Sequence, residues 1–429
     1  MSQEKGNVGI LVGGGPAPGL NGVIAAVTIE ARRRGLKVYG IYDGYKWLVQ
    51  DDFDELMERV VEFEIQDVSR IHFNGGSVLR TSRTNPAREE NGVKNAVKNL
   101  EKLGIKYMVT IGGDDTSYGA SEIAKGAEGR IKFAHVPKTI DNDLPLPNDL
   151  PTFGYNTARH YGAQLVKNLM EDAKTTSRWY VTVAMGRHAG HLALGIGKSA
   201  GATLTLIAEE FKDDEYIDIE KVCDIFEASI LKRRAMGNPH GVLVIAEGVA
   251  ERFSPEQLKS IPGVMVEYDN YGHLRLAEVE LGKIIMQKVT ERFKERGDKQ
   301  SMVEINIGYV LRCADPIPYD QEYTRDLGYS AVDYLMRTDP EHQKNAMICV
   351  ENGRFHPLYF EDMIDPKTNK TTVRLVDTER DYYKVATKYM VRLEQRDLKD
   401  NALISRMADI ARMTNEEFIK KFEYIAIDD

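Results

Sequence analysis

The feature that most constrains this chain is the apolar run 106–111 (KYMVTI) breaking directly into Gly112-Gly113-Asp114-Asp115-Thr116. A short apolar run ended by paired glycines predicts a buried strand that hands over to a helix, here beginning near Ser117. A second run, 131–136, delivers Pro137-Lys138-Thr139-Ile140-Asp141-Asn142-Asp143 at its carboxyl end. Open α/β sheets bind their ligands at that edge. The two strand ends therefore predict one shared site combining four carboxylates, a lysine and glycine amides, a set suited to metal-assisted phosphoryl transfer.

The alternation of strand and helix runs through most of the chain. Strands are predicted at 8–12 and 37–41 and helices at 20–34 and 92–103, an order that implies a parallel sheet covered on both faces. The stretch 144–151 (LPLPNDLP) is too rich in proline for an element interior and reads as a loop near a domain crossing. A second α/β unit follows: helix 156–173, strand 179–184, helix 189–199, and strands 204–207 and 242–246. Helical patterns at 274–293 and 319–336, strands at 304–310 and 346–350, and a helical tail complete it. The sequence carries no internal repeat and no low-complexity tract.

With 429 residues, 42% of them hydrophobic, the chain has material for a large core and more than one domain. No apolar run reaches the ~18 residues of a membrane span and the start, MSQEKGN, is unlike a signal peptide, so a soluble cytoplasmic protein without a membrane role is expected. A net charge of -9 argues against a nucleic-acid partner. Three widely spaced cysteines suggest neither a disulfide framework nor a zinc site.

Each further candidate has a bland alternative. The segment 8–21 (VGILVGGGPAPGLN) is a strand, a glycine turn containing Gly14 and Gly15, and a helix start suited to phosphate; it is a poor dinucleotide fingerprint because Pro18 occupies the third glycine position. GGDDT alone also fits an aspartate-rich turn. Beside PKTIDND, Asp114 reads as a magnesium ligand assisted by Asp143, because magnesium uses one or two carboxylates besides substrate phosphates. Asp115 would then repel and crowd a large polyphosphate nucleotide. Strand-like alternation would put Thr139, Asp141 and Asp143 on one face, with Asn142 pointing away and Asp141 available as a general base. Lys138 offers a compact cation for a transferring phosphoryl group, or is a surface lysine. In 75–83 (GGSVLRTSR), Arg83 and Arg80 offer forked donors to phosphate. Met185, Gly186 and Arg187 end a strand, Arg178 precedes it, and Glu247, Tyr309 and Arg312 follow strand ends. His188 and His191 read as packing or hydrogen-bonding residues.

In this order, GGGPAPGLN, GGSVLRTSR, GGDDT, PKTIDND, MGR and GYVLR resemble the phosphofructokinase family. The resemblance implies two Rossmann-like three-layer α/β domains with extra C-terminal helices: a larger donor-binding domain (1–153 and about 311–375) and a smaller sugar-phosphate domain (154–310 and about 376–429). It implies fructose 6-phosphate held between them, with Gly14, Gly15, Arg83, Gly113, Asp115 and Lys138 at the donor. Asp141 would be the base, helped by Lys138 and Arg187. Asp114 and Asp143 would bind Mg2+, and Thr139, Asp141, Asp143, Met185, Gly186, Arg187, Glu247, Tyr309 and Arg312 would line the sugar site. Arg178 would come from a neighbouring subunit of a homodimer or homotetramer.

Within the family, Asp115 and Lys138 resemble the pyrophosphate-dependent branch, where ATP users typically carry glycine. Pro16, Tyr309 in place of a histidine, and Val303 near the place of a bridging arginine depart from bacterial ATP enzymes. The implied activity is reversible phosphoryl transfer from pyrophosphate to fructose 6-phosphate. An ATP-dependent enzyme, a lipid or NAD kinase, and a non-catalytic regulatory subunit are the alternatives.

Overall fold

The computed structural model describes residues 6–212, 214–261, 279–339, 344–365 and 370–428. Residues 274–278 of the helix predicted at 274–293 lie outside these. Contacts divide the chain into two compact units, Met1–Ala158 with Val310–Arg374, and Arg159–Tyr309 with Leu375–Asp429. The first change of unit falls at 158/159 rather than at the expected 153/154. The reason lies in the start of the helix Tyr155–Thr176. There the buried Asp320 carboxylate accepts from the Thr157 main-chain N–H at 2.9 Å and from its hydroxyl at 2.5 Å, tying that turn to the first unit.

In the first unit, one sheet runs Arg354–Tyr359, Ala346–Glu351, Lys132–Thr139, Ile105–Gly112, Asn7–Val12, Val38–Ile41, Val60–Glu62. Its central five strands pair in parallel, and the outermost strand on each side is antiparallel. Both edge strands lack the continuous apolar run that a doubly buried strand requires, which is why the sequence reading does not register them. In the central strands, successive side chains enter opposite cores. Val8, Ile10, Val12, Val109, Ile111, Ala134 and Val136 pack with the helices Leu20–Arg33 and Pro318–Met336. Leu11, Met108 and Phe133 pack with Gly92–Lys102 and Asp114–Ala127. A sheet that is apolar on alternate and intervening positions alike must be covered twice. Burying each valine, leucine, isoleucine, phenylalanine or methionine among these contributes roughly 1.5–3 kcal/mol.

The second unit has its own parallel sheet, ordered Met302–Asn306, Trp179–Ala184, Gly241–Ala246, Leu204–Leu206. One core joins these strands to the helices Ile219–Ala235 and Leu281–Glu295 and to the tail helices Asn401–Ala411 and Asn415–Phe422. The strand predicted over 304–310 stops at Asn306, and Gly308–Leu311 is a helical turn. Asn306 causes the break, its side-chain oxygen accepting from Gly308 N–H at 3.0 Å. Among the described residues no helix is long and apolar enough to cross a membrane.

Candidate active site

Strands Asn7–Val12, Ile105–Gly112 and Lys132–Thr139 are parallel neighbours, so their carboxyl ends present the three expected segments side by side. Thr116 locks the first two turns together. A Cβ on Gly13 would stand 2.4 Å from its hydroxyl oxygen, and one on Gly112 2.4 Å from its Cβ. Gly14 has φ +79°, a conformation that favours glycine, which leaves this turn little latitude for other residues. The segment carrying Arg83 lies along the same turn, with Gly14 N–H donating to Ser82 O at 2.8 Å and Thr81 Oγ1 to Gly14 O at 2.6 Å. Asn21 anchors that segment, donating to Asn74 O and accepting from Val78 N–H. Gly75 N–H donates to Asp315. Arg83 is exposed. Arg80 sits with φ +56°, 3.9 Å from Asp43 and stacked over Tyr42.

The helix after GGDD starts at Asp114, not near Ser117, with Gly113 as its N-cap. Both aspartates therefore occupy its first turn, where the positive end of the helix dipole favours carboxylates. Both are exposed, and Arg88, a neighbour the sequence reading overlooks, stands 3.7 Å from Asp115. Below the turn, His135 is fully buried and burial pushes its imidazole down to about 3, so it is neutral. Its Nε2–H donates to Gly112 O at 3.0 Å, leaving Nδ1 to accept from the Thr110 hydroxyl at 2.8 Å. Tyr45 supports the far side through a 3.0 Å bond to Thr116 O.

Lys138 is not a surface lysine. It is 5% exposed, and its ammonium donates to Gly15 O at 2.6 Å, joining the third strand end to the first glycine turn. Burial pushes its pKa down to about 8; Asp141, Asp143 and Asp114 pull the other way, while the Arg312 guanidinium adds to the lowering. The Arg312 guanidinium carbon lies 3.4 Å from the position of a Cβ on Gly15, which places this arginine against the glycine turn. The site is thus a cationic floor of Lys138 and Arg312 among carboxylates.

The strand does not continue through IDND, so the predicted alternation fails. Lys132–Thr139 ends at Thr139, whose hydroxyl accepts from Asp141 N–H at 3.0 Å, and Asn142 turns left-handed at φ +59°. Asn142 is buried rather than directed away, and its side-chain oxygen accepts from Thr152 N–H at 3.0 Å. Thr152 also donates its hydroxyl to Thr139 O at 2.7 Å.

In the second unit, Met185 is buried at the end of Trp179–Ala184, and Gly186 O accepts from Gly248 N–H at 3.1 Å, joining that turn to the end of Gly241–Ala246 where Glu247 sits. Arg187 donates to Glu251 at 2.6 Å, another residue without a sequence signal, and His188 lies 3.6 Å from the same carboxylate. Arg178 stands just before the strand. Tyr309 is 60% exposed, on the helical turn rather than at a strand end. Among the described residues no cluster of three or more histidine, cysteine or acidic ligands forms.

The profile of the family described as Phosphofructokinase matches residues 7–335. The chain belongs to the phosphofructokinase family. It is 54% identical to a Thermotoga maritima protein named pyrophosphate--fructose 6-phosphate 1-phosphotransferase, with 97% of each chain covered. A Naegleria fowleri protein of the same name is 47% identical, with 97% of this chain and 95% of that one covered. The phosphofructokinase fold is recognisable in the Saccharomyces cerevisiae structure at a TM-score of 0.65 and 21% identity, covering 98% of this chain and 50% of the other.

Proposed function

We propose that this phosphofructokinase transfers a phosphoryl group reversibly from pyrophosphate to the 1-hydroxyl of fructose 6-phosphate, giving fructose 1,6-bisphosphate and phosphate. The observation that carries this reading is Lys138, a buried ammonium bound to the glycine turn of the first strand and bordered by Asp114, Asp141 and Asp143. The names of the two near-full-length relatives support the same donor.

Asp141 takes the proton of the sugar 1-hydroxyl as that oxygen attacks the nearer phosphorus; the bridging P–O bond breaks and phosphate leaves. Lys138 and the Gly14–Gly15 turn amides stabilise charge on the phosphoryl oxygens, with Arg83 and Gly113 assisting; Arg312, expected at the sugar phosphate, stands against the same glycine turn. In the other unit, Met185, Gly186, Arg187, Glu247 and Tyr309 take the sugar phosphate, and Thr139 holds the Asp141 main chain. Such catalysis is mostly positioning and electrostatics.

Asp114 and Asp143 both act on the Lys138 charge, and one or two carboxylates suffice for a magnesium ion carried largely by its substrate. Asp114 and Asp143 would hold it, and when bound it supplies neutralisation of the pyrophosphate charge. The reading extends to a cytoplasmic homodimer or homotetramer in which Arg178 reaches a neighbouring copy's site.

Asp115 excludes nucleotides by charge and bulk. Its carboxylate is 68% exposed at the helix start, and repulsion between unit charges ~4 Å apart is about 1–4 kcal/mol near a protein surface. The deciding assay measures fructose 1,6-bisphosphate formation with magnesium and either pyrophosphate or ATP as sole donor. Turnover with pyrophosphate and little with ATP is expected, and Asp115→Gly should raise kcat/KM for ATP at least ~10-fold, which corresponds to ~1.4 kcal/mol. A wild-type preference for ATP would overturn the donor assignment. Activity with neither would turn attention to a regulatory subunit.

A further inference from the structure

The proposed base and one proposed metal ligand stand on a loop that is not part of the strand, so something must fix it. Three of its fastenings are local: the Thr139 hydroxyl on Asp141 N–H, and Thr152 on Asn142 Oδ1 and Thr139 O. The fourth comes from far along the chain. Arg374 donates through Nε at 3.1 Å and Nη2 at 2.9 Å to Asn142 O, through Nη2 at 2.5 Å to Asn142 Oδ1, and through Nη1 at 2.8 Å to Leu150 O. Its own N–H donates to Asp143 O at 2.7 Å. All these groups belong to the first unit.

The pattern is specific. One planar fork satisfies both acceptors of a left-handed asparagine and closes the far end of the 142–150 loop, while the arginine's own main chain holds the next residue. A lysine could not make these bonds, having one nitrogen rather than three. Arg374 also lies beyond residues 7–335, the part matched by the family. The C-terminal extension thus reaches into the site rather than merely extending the fold.

We infer that Arg374 is a positioning residue for phosphoryl transfer, acting through Asn142 and the main chain of Asp143 to hold the Asp141 and Asp143 carboxylates at the strand end. Its role is exercised through these loop groups. This rests on the proposed reaction, because it assigns the loop's rigidity to the placement of Asp141. A misplacement of ~1 Å at a reacting group costs on the order of 10²-fold in rate.

The test compares wild type with Arg374→Ala, Arg374→Gln and Arg374→Lys by steady-state kinetics and by amide hydrogen exchange across 139–152. Arg374→Ala should lower kcat roughly 10- to 100-fold while KM for pyrophosphate stays within about threefold. Exchange should quicken within 139–152 and remain unchanged in the strand Asn7–Val12. Millimolar guanidinium should restore part of the lost kcat in Arg374→Ala, and Arg374→Lys should recover little. Wild-type kcat with unchanged exchange would overturn the inference. So would exchange that quickens across the whole unit in both Arg374→Ala and Arg374→Gln, since that marks a general staple. If wild type itself turns over neither donor, the proposed reaction fails and the positioning role in catalysis falls with it, whereas normal wild-type turnover with an indifferent Arg374→Ala defeats the positioning role alone.

Discussion

Lys138 and Arg187 are proposed anion-binding cations, one in each unit, and they are held in opposite ways. Lys138 is buried and bonded to a carbonyl, Gly15 O, so its charge is only partly answered and burial lowers its pKa to about 8. Arg187 is partly exposed and bonded to the Glu251 carboxylate. A cation on a neutral carbonyl stays ready for an anion but is costly to keep charged. A cation on a carboxylate is inexpensive to keep charged, yet its partner competes with every anionic ligand. The first arrangement suits stabilising charge during transfer; the second suits a gripping site that must also release.

The largest effect belongs to Asp141, the proposed base, whose charge acts on Lys138. Asp141→Ser should lower kcat ~10²–10⁴-fold with pyrophosphate KM little changed, measured at saturating sugar phosphate. Near-normal turnover would remove Asp141 from its role and leave Lys138 a cation without a reaction to serve.

Next comes the titration of Lys138 itself. Since its folded pKa is depressed from 10.5 to about 8, the charged form is lost as pH rises through about 8. The logarithm of kcat/KM for pyrophosphate should therefore decline above that pH. Bound pyrophosphate stabilises the ammonium, so kcat should decline at higher pH. The stability consequence has the opposite sense. Between about 8 and 10.5 the unfolded chain holds more protons at this site, so Lys138 contributes increasing stability as pH rises through that window. Arg187→Lys leaves Lys138 in place and should keep this break in kcat/KM for pyrophosphate.

The smallest effect tests the pairing of Arg187. Glu251→Gln removes the competing charge but leaves a hydrogen-bond acceptor, and should lower KM for fructose 6-phosphate about two- to fivefold with kcat within twofold; exposed or half-exposed ion pairs are worth only ~0.2–1 kcal/mol. A raised KM would mean that Glu251 orients Arg187 more than it competes.

The contrast also marks what a sequence makes visible. The strand ends at 12 and 112 are legible to within a residue, and the one at 139, expected at 136, to within three, because apolar runs and glycines are local signals; parallel pairing then brings the segments together. Asp114, Asp115 and Lys138 are found that way. The shape of the loop after Lys138 is not, because Asn142 takes its left-handed turn under contacts from Thr152 and Arg374, the latter 232 positions away. Arg88 and Glu251 are missed for a related reason. Each meets its partners through side-chain contacts, which leave no period in the sequence. The helix start at Asp114 rather than Ser117 shows the reverse error: two aspartates read as turn formers when they are equally good first-turn residues.

Thr116 and Asp115 are consecutive, yet one is wedged between two glycine turns and the other faces solvent from the helix start. Reshaping the turns to admit a different donor means disturbing the packing of three strand ends at once. Changing the side chain at position 115 touches none of it, and an exposed substitution of this kind typically moves stability by no more than ~0.5 kcal/mol. The proposed selectivity device is therefore separable from the scaffold, so a lineage with this architecture could exchange one phosphoryl currency for another while its fold stays under the same selection as before.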